Sequence, residues 1–213
     1  MNRLVIIGAG GHGRVVADCA KAIGDYDDIV FLDDCFNERK VNEHWKVIGP
    51  VSIWSKLNDV DFIVAFGNNK LRKKTIKTLQ QANANLVSMI HPSAVISQYT
   101  NIGVGTVVFA NAVVNVNSTI GKGCIINTGA TVDHDCNIHP YVHISPGVNI
   151  AGGITVGALS WLGIGSTVIE GITLAENTQV GAGAAVIQST QANSLYLGVP
   201  AKRIRSLTNY QQD

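Results

Sequence analysis

Residues 96–186 repeat with a period of six. Counting in sixes from residue 96, all 16 positions are Ile, Val or Leu. Four residues after each aliphatic position stands a residue that is neither charged nor aromatic, among them Ala112, Cys124, Ala130 and Cys136. A period of six fits neither a 3.6-residue helix nor a simple alternating strand. It predicts hexapeptide β-helix repeats, with one short strand and one turn per hexad and three hexads per triangular coil. Successive coils are expected to stack at about 4.8 Å. Fifteen full hexads give about five coils, above the minimum for a stacked core. The aliphatic residue is expected to point inward, with room only for a small residue at the fourth place after it. Gly follows the aliphatic residue at Gly103, Gly121, Gly157, Gly163 and Gly181, where it is expected to supply unusual turn angles.

Ahead of the repeat the pattern changes. Residues 3–7 are an apolar strand, followed by Gly8, Ala9, Gly10, Gly11, His12 and Gly13. Val15, Val16, Cys19, Ala20 and Ile23 then fall on one helical face, with Gly24 as the stop. Residues 29–32 and 61–66 read as further strands and 71–81 as a basic amphipathic helix, so the segment is a small parallel α/β unit. The expected organisation is a Rossmann-like nucleotide-sugar-binding domain over 1–88, a β-helix over 89–190 and a short basic tail over 191–213.

Gly8, Gly10 and Gly13 match G-x-G-x-x-G after a strand, and Asp33 follows at the spacing expected of that fingerprint's acidic residue. Such glycines let the backbone approach phosphate at a helix N-terminus. The unit is about half of a full dinucleotide fold, so it suits the nucleotide of a nucleotide-sugar better than NAD. A tight turn without a ligand is the competing reading.

Charge narrows the partners. Charged residues make up 15% and the net charge is +1, which implies no nucleic-acid surface. No apolar run reaches the length of a membrane span and Met1 leads straight into a strand, so neither a signal peptide nor a membrane segment is expected, and the location is read as cytoplasmic. Cys19, Cys35, Cys124 and Cys136 show no paired spacing; reduced packing cysteines are expected.

One stretch of the repeat carries chemistry. Residues 133–143 hold His134, His139 and His143, three of the six histidines. His134 and Asp135 fall in a turn, pointing out of the prism. An exposed imidazole beside a carboxylate is suited to general base work; a loop histidine without a role is the alternative. Zinc is not expected, because tetrahedral sites need three or four convergent ligands and His134 and His143 stand half a coil apart. Gly152 follows His134 by three hexads, one coil on and stacked on it, where its N–H is open to an oxyanion. Lys202, Arg203 and Arg205 make the tail basic and suited to phosphate groups.

With these residues in view, both halves of the chain resemble the PglD/NeuD-type sugar acetyltransferases of the bacillosamine pathway. The resemblance rests on residues 8–13, on Phe31, Leu32, Asp33 and Asp34, on Phe66, Gly67, Asn68 and Asn69, on the segment 133–143, and on Gly198, Val199, Pro200, Ala201, Lys202 and Arg203. It implies a left-handed β-helix; physics alone favours right-handed crossovers. It implies acetyl transfer from acetyl-CoA to the 4-amino group of a UDP-4-amino-4,6-dideoxy sugar, without a metal. By the same resemblance His134 is the base and Asp135 tunes it, Asn127 lines the site, and His143, Gly152, Ile164 and Ala182 contact acetyl-CoA. Gly10, Gly11, His12, Asp33, Asp34 and Gly67 hold the nucleotide-sugar, and the family assembles as trimers. Three other readings stay open: O-acetylation of sialic acid or a related sugar, a trimer that binds nucleotide-sugar without catalysis, and, more weakly, an NAD oxidoreductase.

Overall fold

The computed structural model describes residues 2–207. The chain divides into two compact units, Met1–Pro92 and Ser93–Asp213.

The first unit is a five-stranded sheet with helices. In chain order it holds β1 (Arg3–Ile7), α1 (Gly11–Ile23), β2 (Asp28–Leu32), β3 (Val41–Asn42), β4 (Trp45–Gly49), β5 (Asp61–Val64) and α2 (Asn69–Gln81). The strand order is β3-β4-β2-β1-β5. All pairs are parallel except β3 with β4. β1 is central, and Leu4, Val5, Ile6 and Ile7 have no exposed surface, as expected for a strand covered on both faces. Helix α1 stops at Gly24, whose positive φ of 86° lets its N–H reach Ala20 O. Helix α2 begins two residues earlier than its periodicity predicts, because Asn68 Oδ1 accepts the N–H groups of Lys70 and Leu71.

The β3–β4 hairpin has no counterpart in the sequence reading. Its loop is Glu43 and His44, with Glu43 at a φ of 56°. Such turns usually announce themselves by Asn-Gly or Asp-Gly, and here neither is present. Two 3-10 turns, Asp34–Asn37 and Val51–Lys56, fill the rest of that aperiodic stretch.

The second unit is a parallel β-helix. Strands of two residues, three at Thr178–Val180, recur at every hexad from Val95–Ile96 to Ala185–Val186. Each pairs in parallel with the strand three hexads away, as Val114 with Val132 and Val132 with Ile150. Three sheets result, so the triangular coil is as the period predicts. From Val108 onward every aliphatic position of the repeat is buried, and Ile96 and Ile102 are partly covered. The fourth-place residues also point inward. Several that carry hydroxyls bond between coils: Ser118 Oγ donates to Asp133 O at 2.6 Å and accepts the Cys136 N–H at 3.1 Å, whereas the buried Ser166 Oγ has no hydrogen-bond partner among the described residues.

The glycines act differently from expectation. None of the five that follow an aliphatic residue has positive φ. Four of them stand where the next coil's backbone passes, as at Gly121, where a Cβ would lie 2.5 Å from Pro140 N, and Gly181 faces the Leu197 side chain. The left-handed conformation falls two residues later, at every sixth residue from 105 to 183. Glycine holds eight of those fourteen places and Asn three, and Asp135, Tyr141 and Leu159 hold the others.

The tail is not separate from the prism. Ser194–Leu197 pairs in parallel with Thr178–Val180, and Lys202–Ser206 folds back antiparallel on it. Residues 208–213 of the basic tail lie outside the described residues.

The central coils set a direct test. Ile126 is fully buried among aliphatic neighbours, and an unpaired carboxylate there costs several kcal/mol. Ile126→Asp is expected to abolish the soluble folded protein; circular dichroism and size-exclusion chromatography read the outcome, and a native-like variant would show that the register is wrong.

Candidate active site

The turn that follows the strand Thr131–Val132 carries the strongest chemistry. His134 Nδ1 lies 2.7 Å from Asp135 Oδ2. An ionised carboxylate only accepts, so Nδ1 donates to it, and in the neutral ring the lone pair is left on Nε2. Both side chains are more than half exposed. The bond to Asp135, and then the charge of Asp133, raise the His134 pKa above that of an ordinary imidazole. The bonds from His134 and then from Asn117 hold the Asp135 carboxyl below its usual range. Asp135 has a φ of 58°, at the place in the hexad that glycine most often fills. Asp is among the few side chains that tolerate this region, so the repeat accepts a carboxylate there.

Gly152 completes this group. A Cβ on it would lie 2.5 Å from both Cε1 and Nε2 of His134. The imidazole therefore rests on a position where any side chain would displace it, one coil on as the three-hexad spacing predicts.

A second group forms on another sheet. His143 is 7% exposed and belongs to the strand His143–Ile144. Its ring stacks on Trp161, with centroids 4.9 Å apart and planes 12° apart. Asn127 Nδ2 lies 3.5 Å from His143 Nε2, and Trp161 Nε1 donates to Ser145 Oγ at 2.9 Å. Ile164 and Ala182 are exposed in turns one coil apart, at the corner of the prism that Asn127 precedes. The structure thus separates the residues inferred from resemblance into two sets, His134 with Asp135 and Gly152, and His143 with Asn127. Between the corners lies a groove of about 370 Å³, lined in part by Asn115, Thr131, Asp133, Asn149 and Thr167.

Trp161 and Ser145 escaped the sequence reading. The signal was there: the place just before each aliphatic residue is mostly Thr, Asn or Val, and His143 and Trp161 break that run one coil apart.

In the first unit, β1 has β2 and β5 on its two sides, so its C-terminal end is a switch point of the sheet, where ligands bind in open α/β folds. Gly8, with a φ of 109°, opens the turn, and Gly10 caps α1 without a side-chain bond. A Cβ on Gly10 or Gly67 would meet nothing within 4 Å, and one on Gly11 only a distant Arg14 atom. Burial, and then the charge of Arg72, push the His12 pKa down to about 4, so the ring is neutral at physiological pH. Both carboxylates are partly engaged by backbone. Asp33 accepts the N–H groups of Ala9 at 2.7 Å and Cys35 at 2.8 Å, and Asp34 that of Val51 at 2.9 Å. Arg39 and Asn42 donate to Ala9 O at 2.9 Å, and Arg14 donates to Asn42 Oδ1 at 3.1 Å. These last three residues gather positive charge and donors at the glycine turn, and no motif in the sequence announced them.

Comparison with known proteins agrees with this division. Residues 3–79 match the family model of the PglD N-terminal domain. The UDP-N-acetylbacillosamine N-acetyltransferase of Bacillus subtilis is 37% identical over 111 residues, 50% of this chain and 51% of that protein, so the matched region spans about half the length of this curated relative. Among solved structures, the acetyltransferase domain of PglB from Neisseria gonorrhoeae, in complex with acetyl coenzyme A, is 39% identical with a TM-score of 0.93, over 96% of this chain and 100% of that one. A variant of perosamine N-acetyltransferase from Caulobacter crescentus, in complex with CoA and GDP-perosamine, is 36% identical with a TM-score of 0.90, over 97% and 98%. Spanning such relatives end to end at this identity, with the glycine turn and the His134–Asp135 pair in place, the chain belongs to the PglD-type family of hexapeptide-repeat acetyltransferases.

Proposed function

We propose that the protein transfers acetyl from acetyl-CoA to the 4-amino group of a UDP-4-amino-4,6-dideoxy sugar. The observation that carries this reading is the His134–Asp135 pair, with Nδ1 turned to the carboxylate and the ring seated against Gly152. A protonated amine is no nucleophile, and even the neutral amine must lose a proton as it attacks. His134 Nε2 takes that proton while the amine nitrogen bonds to the thioester carbonyl carbon. The tetrahedral oxyanion collapses, the C–S bond breaks and the CoA sulfur leaves, with the proton held at Nε2 available to it. Asp135 stabilises the transient imidazolium. No acyl-enzyme is needed: Cys136, the cysteine nearest this turn, is buried and its Sγ–H donates to Ala151 O at 3.2 Å.

Support for the substrates comes from relatives whose structures hold acetyl-CoA or CoA with GDP-perosamine and from the Bacillus subtilis protein named for a UDP-linked sugar. His143, Gly152, Ile164 and Ala182 are assigned to acetyl-CoA, and Asn127 to the acceptor side of the site. Gly10, Gly11, His12, Asp33, Asp34 and Gly67 are assigned to the nucleotide-sugar. His134 stands in the turn after one sheet and His143 on another sheet of the prism, so a shared site needs a second copy. A homotrimer with sites between subunits meets that need.

The reading is tested by incubating the protein with acetyl-CoA and a panel of UDP-, dTDP- and GDP-linked 4-amino sugars. Mass spectrometry should show one added acetyl group on a UDP-linked acceptor; acetylation confined to hydroxylated sugars would overturn the N-transfer.

His134→Ala is expected to lower kcat by on the order of 10²–10⁴ with little change in KM. Asp135→Asn should cost less. The neutral amide no longer favours the imidazolium, so the pKa of His134 falls and the acid limb of the pH–rate profile moves to lower pH. An upward move would make Asp135 structural only.

For assembly, inactive His134→Ala and inactive His143→Ala proteins are mixed and allowed to exchange subunits. Mixed trimers should regain part of the activity; none after verified exchange would exclude shared sites.

A further inference from the structure

Beyond the pair itself, three side chains of the preceding coil converge on the turn 133–136. Asn115 Nδ2 donates to Asp133 Oδ1 at 2.7 Å, and the same oxygen accepts the backbone N–H of His134 at 2.8 Å. Asn117 Nδ2 donates to Asp135 Oδ1 at 3.3 Å, while the other oxygen of Asp135 holds the imidazole. From inside the prism, Ser118 Oγ holds Asp133 O and the Cys136 N–H. His134 thus lies between two carboxylates, one bonded to its ring and one to its backbone. Each is tethered by the asparagine one coil earlier.

At another turn of the prism an asparagine meets a neutral partner: Asn177 Nδ2 donates to Asn193 Oδ1 at 2.9 Å. The turn under His134 differs, since both of its asparagines, Asn115 and Asn117, meet carboxylates that flank one imidazole. Resting on the reading of His134 as the base, we propose that Asn115 and Asp133 are a second positioning arm for that residue. The arm fixes the backbone of the base through its N–H and keeps a negative charge beside the imidazolium that forms during turnover.

Electrostatics agree. The charge of Asp133 is second only to the Asp135 bond in raising the His134 pKa. The Asp133 carboxyl is itself held below its usual range by the bonds from Asn115 and from the His134 N–H. The elements packed against the imidazole add few other charges. The preceding coil presents Asn115, Val116 and Asn117, and the following one Ala151, Gly152 and Gly153. Glu170 stands two coils on in the column of His134.

Two variants separate charge from tether. Asp133→Asn keeps an oxygen acceptor in place and removes the charge. Asn115→Ala keeps the charge and frees the carboxylate. Both positions face outward from the prism, and melting curves check the fold. The readouts are an NMR titration of the His134 ring in histidine-labelled full chain, and the pH dependence of kcat. Asp133→Asn is expected to lower the His134 pKa, move the acid limb to lower pH in step, and reduce kcat about tenfold with KM little changed. Asn115→Ala is expected to reduce kcat about threefold with the acid limb near its wild-type place. Unchanged His134 titration in Asp133→Asn, with wild-type kcat in both variants, would overturn the arm while His134→Ala, if inactive, keeps the base. If His134→Ala proves active, the base reading falls; the NMR titration still decides whether Asp133 acts on the ring, and an unmoved pKa overturns the arm there too.

Discussion

Everything in the β-helix follows from one constraint: each residue lies against the residue three hexads away. Parallel pairing of two-residue strands repeats that offset on all three faces. A strand this short is negligible alone. Its stability comes from the aliphatic column inside and from the ladder bonds above and below, so the fold is a sum of neighbour terms. The same offset decides what each position tolerates. Gly121 is glycine because Pro140 passes over it, and Ser118 is a hydroxyl because two backbone groups of the next coil end beside it.

Chemistry is placed by the same rule. His134 is pinned from the coil before by Asn115 and Asn117 acting through carboxylates, and it rests on Gly152 of the coil after. Asp135 sits in a left-handed turn that the repeat imposes at every sixth residue. A loop would have to spend its own contacts to hold such a geometry. Here the scaffold already fixes it, and only side-chain identities had to be chosen. In the glycine turn of the first unit the means are different. There the ends of β1, β2 and β5 converge, and Arg39, Asn42 and Asp33 tie the turn through the backbone of Ala9.

The period of six made the β-helix legible residue by residue, because a buried column of Ile, Val and Leu leaves a trace at fixed spacing. His134, Asp135 and Gly152 could be grouped for the same reason: sequence neighbours and residues one coil apart both touch in this fold. The β3–β4 hairpin was not legible, since Glu43 takes the left-handed turn without a glycine to mark it. Nor were Arg14, Arg39 and Asn42, whose meeting at Ala9 depends on how an aperiodic stretch returns to the sheet. The role of the glycines after each aliphatic residue was misjudged because local sequence cannot show the backbone of the next coil. Roles along the Asn127 and His143 edge were inferred from resemblance. The Trp161 stack that organises that edge emerged only from the coordinates.

That stack has an optical consequence. Trp161 is the one tryptophan after residue 92 in the sequence, since Trp45 and Trp54 belong to the first unit. Its indole lies flat against the imidazole of His143. With 38% of its surface exposed, the ring senses the polarity of whatever lies beside it. A chain whose Trp45 and Trp54 are replaced by Phe would therefore carry a native fluorophore at the edge where acetyl-CoA is assigned, and would report on that edge without an attached label.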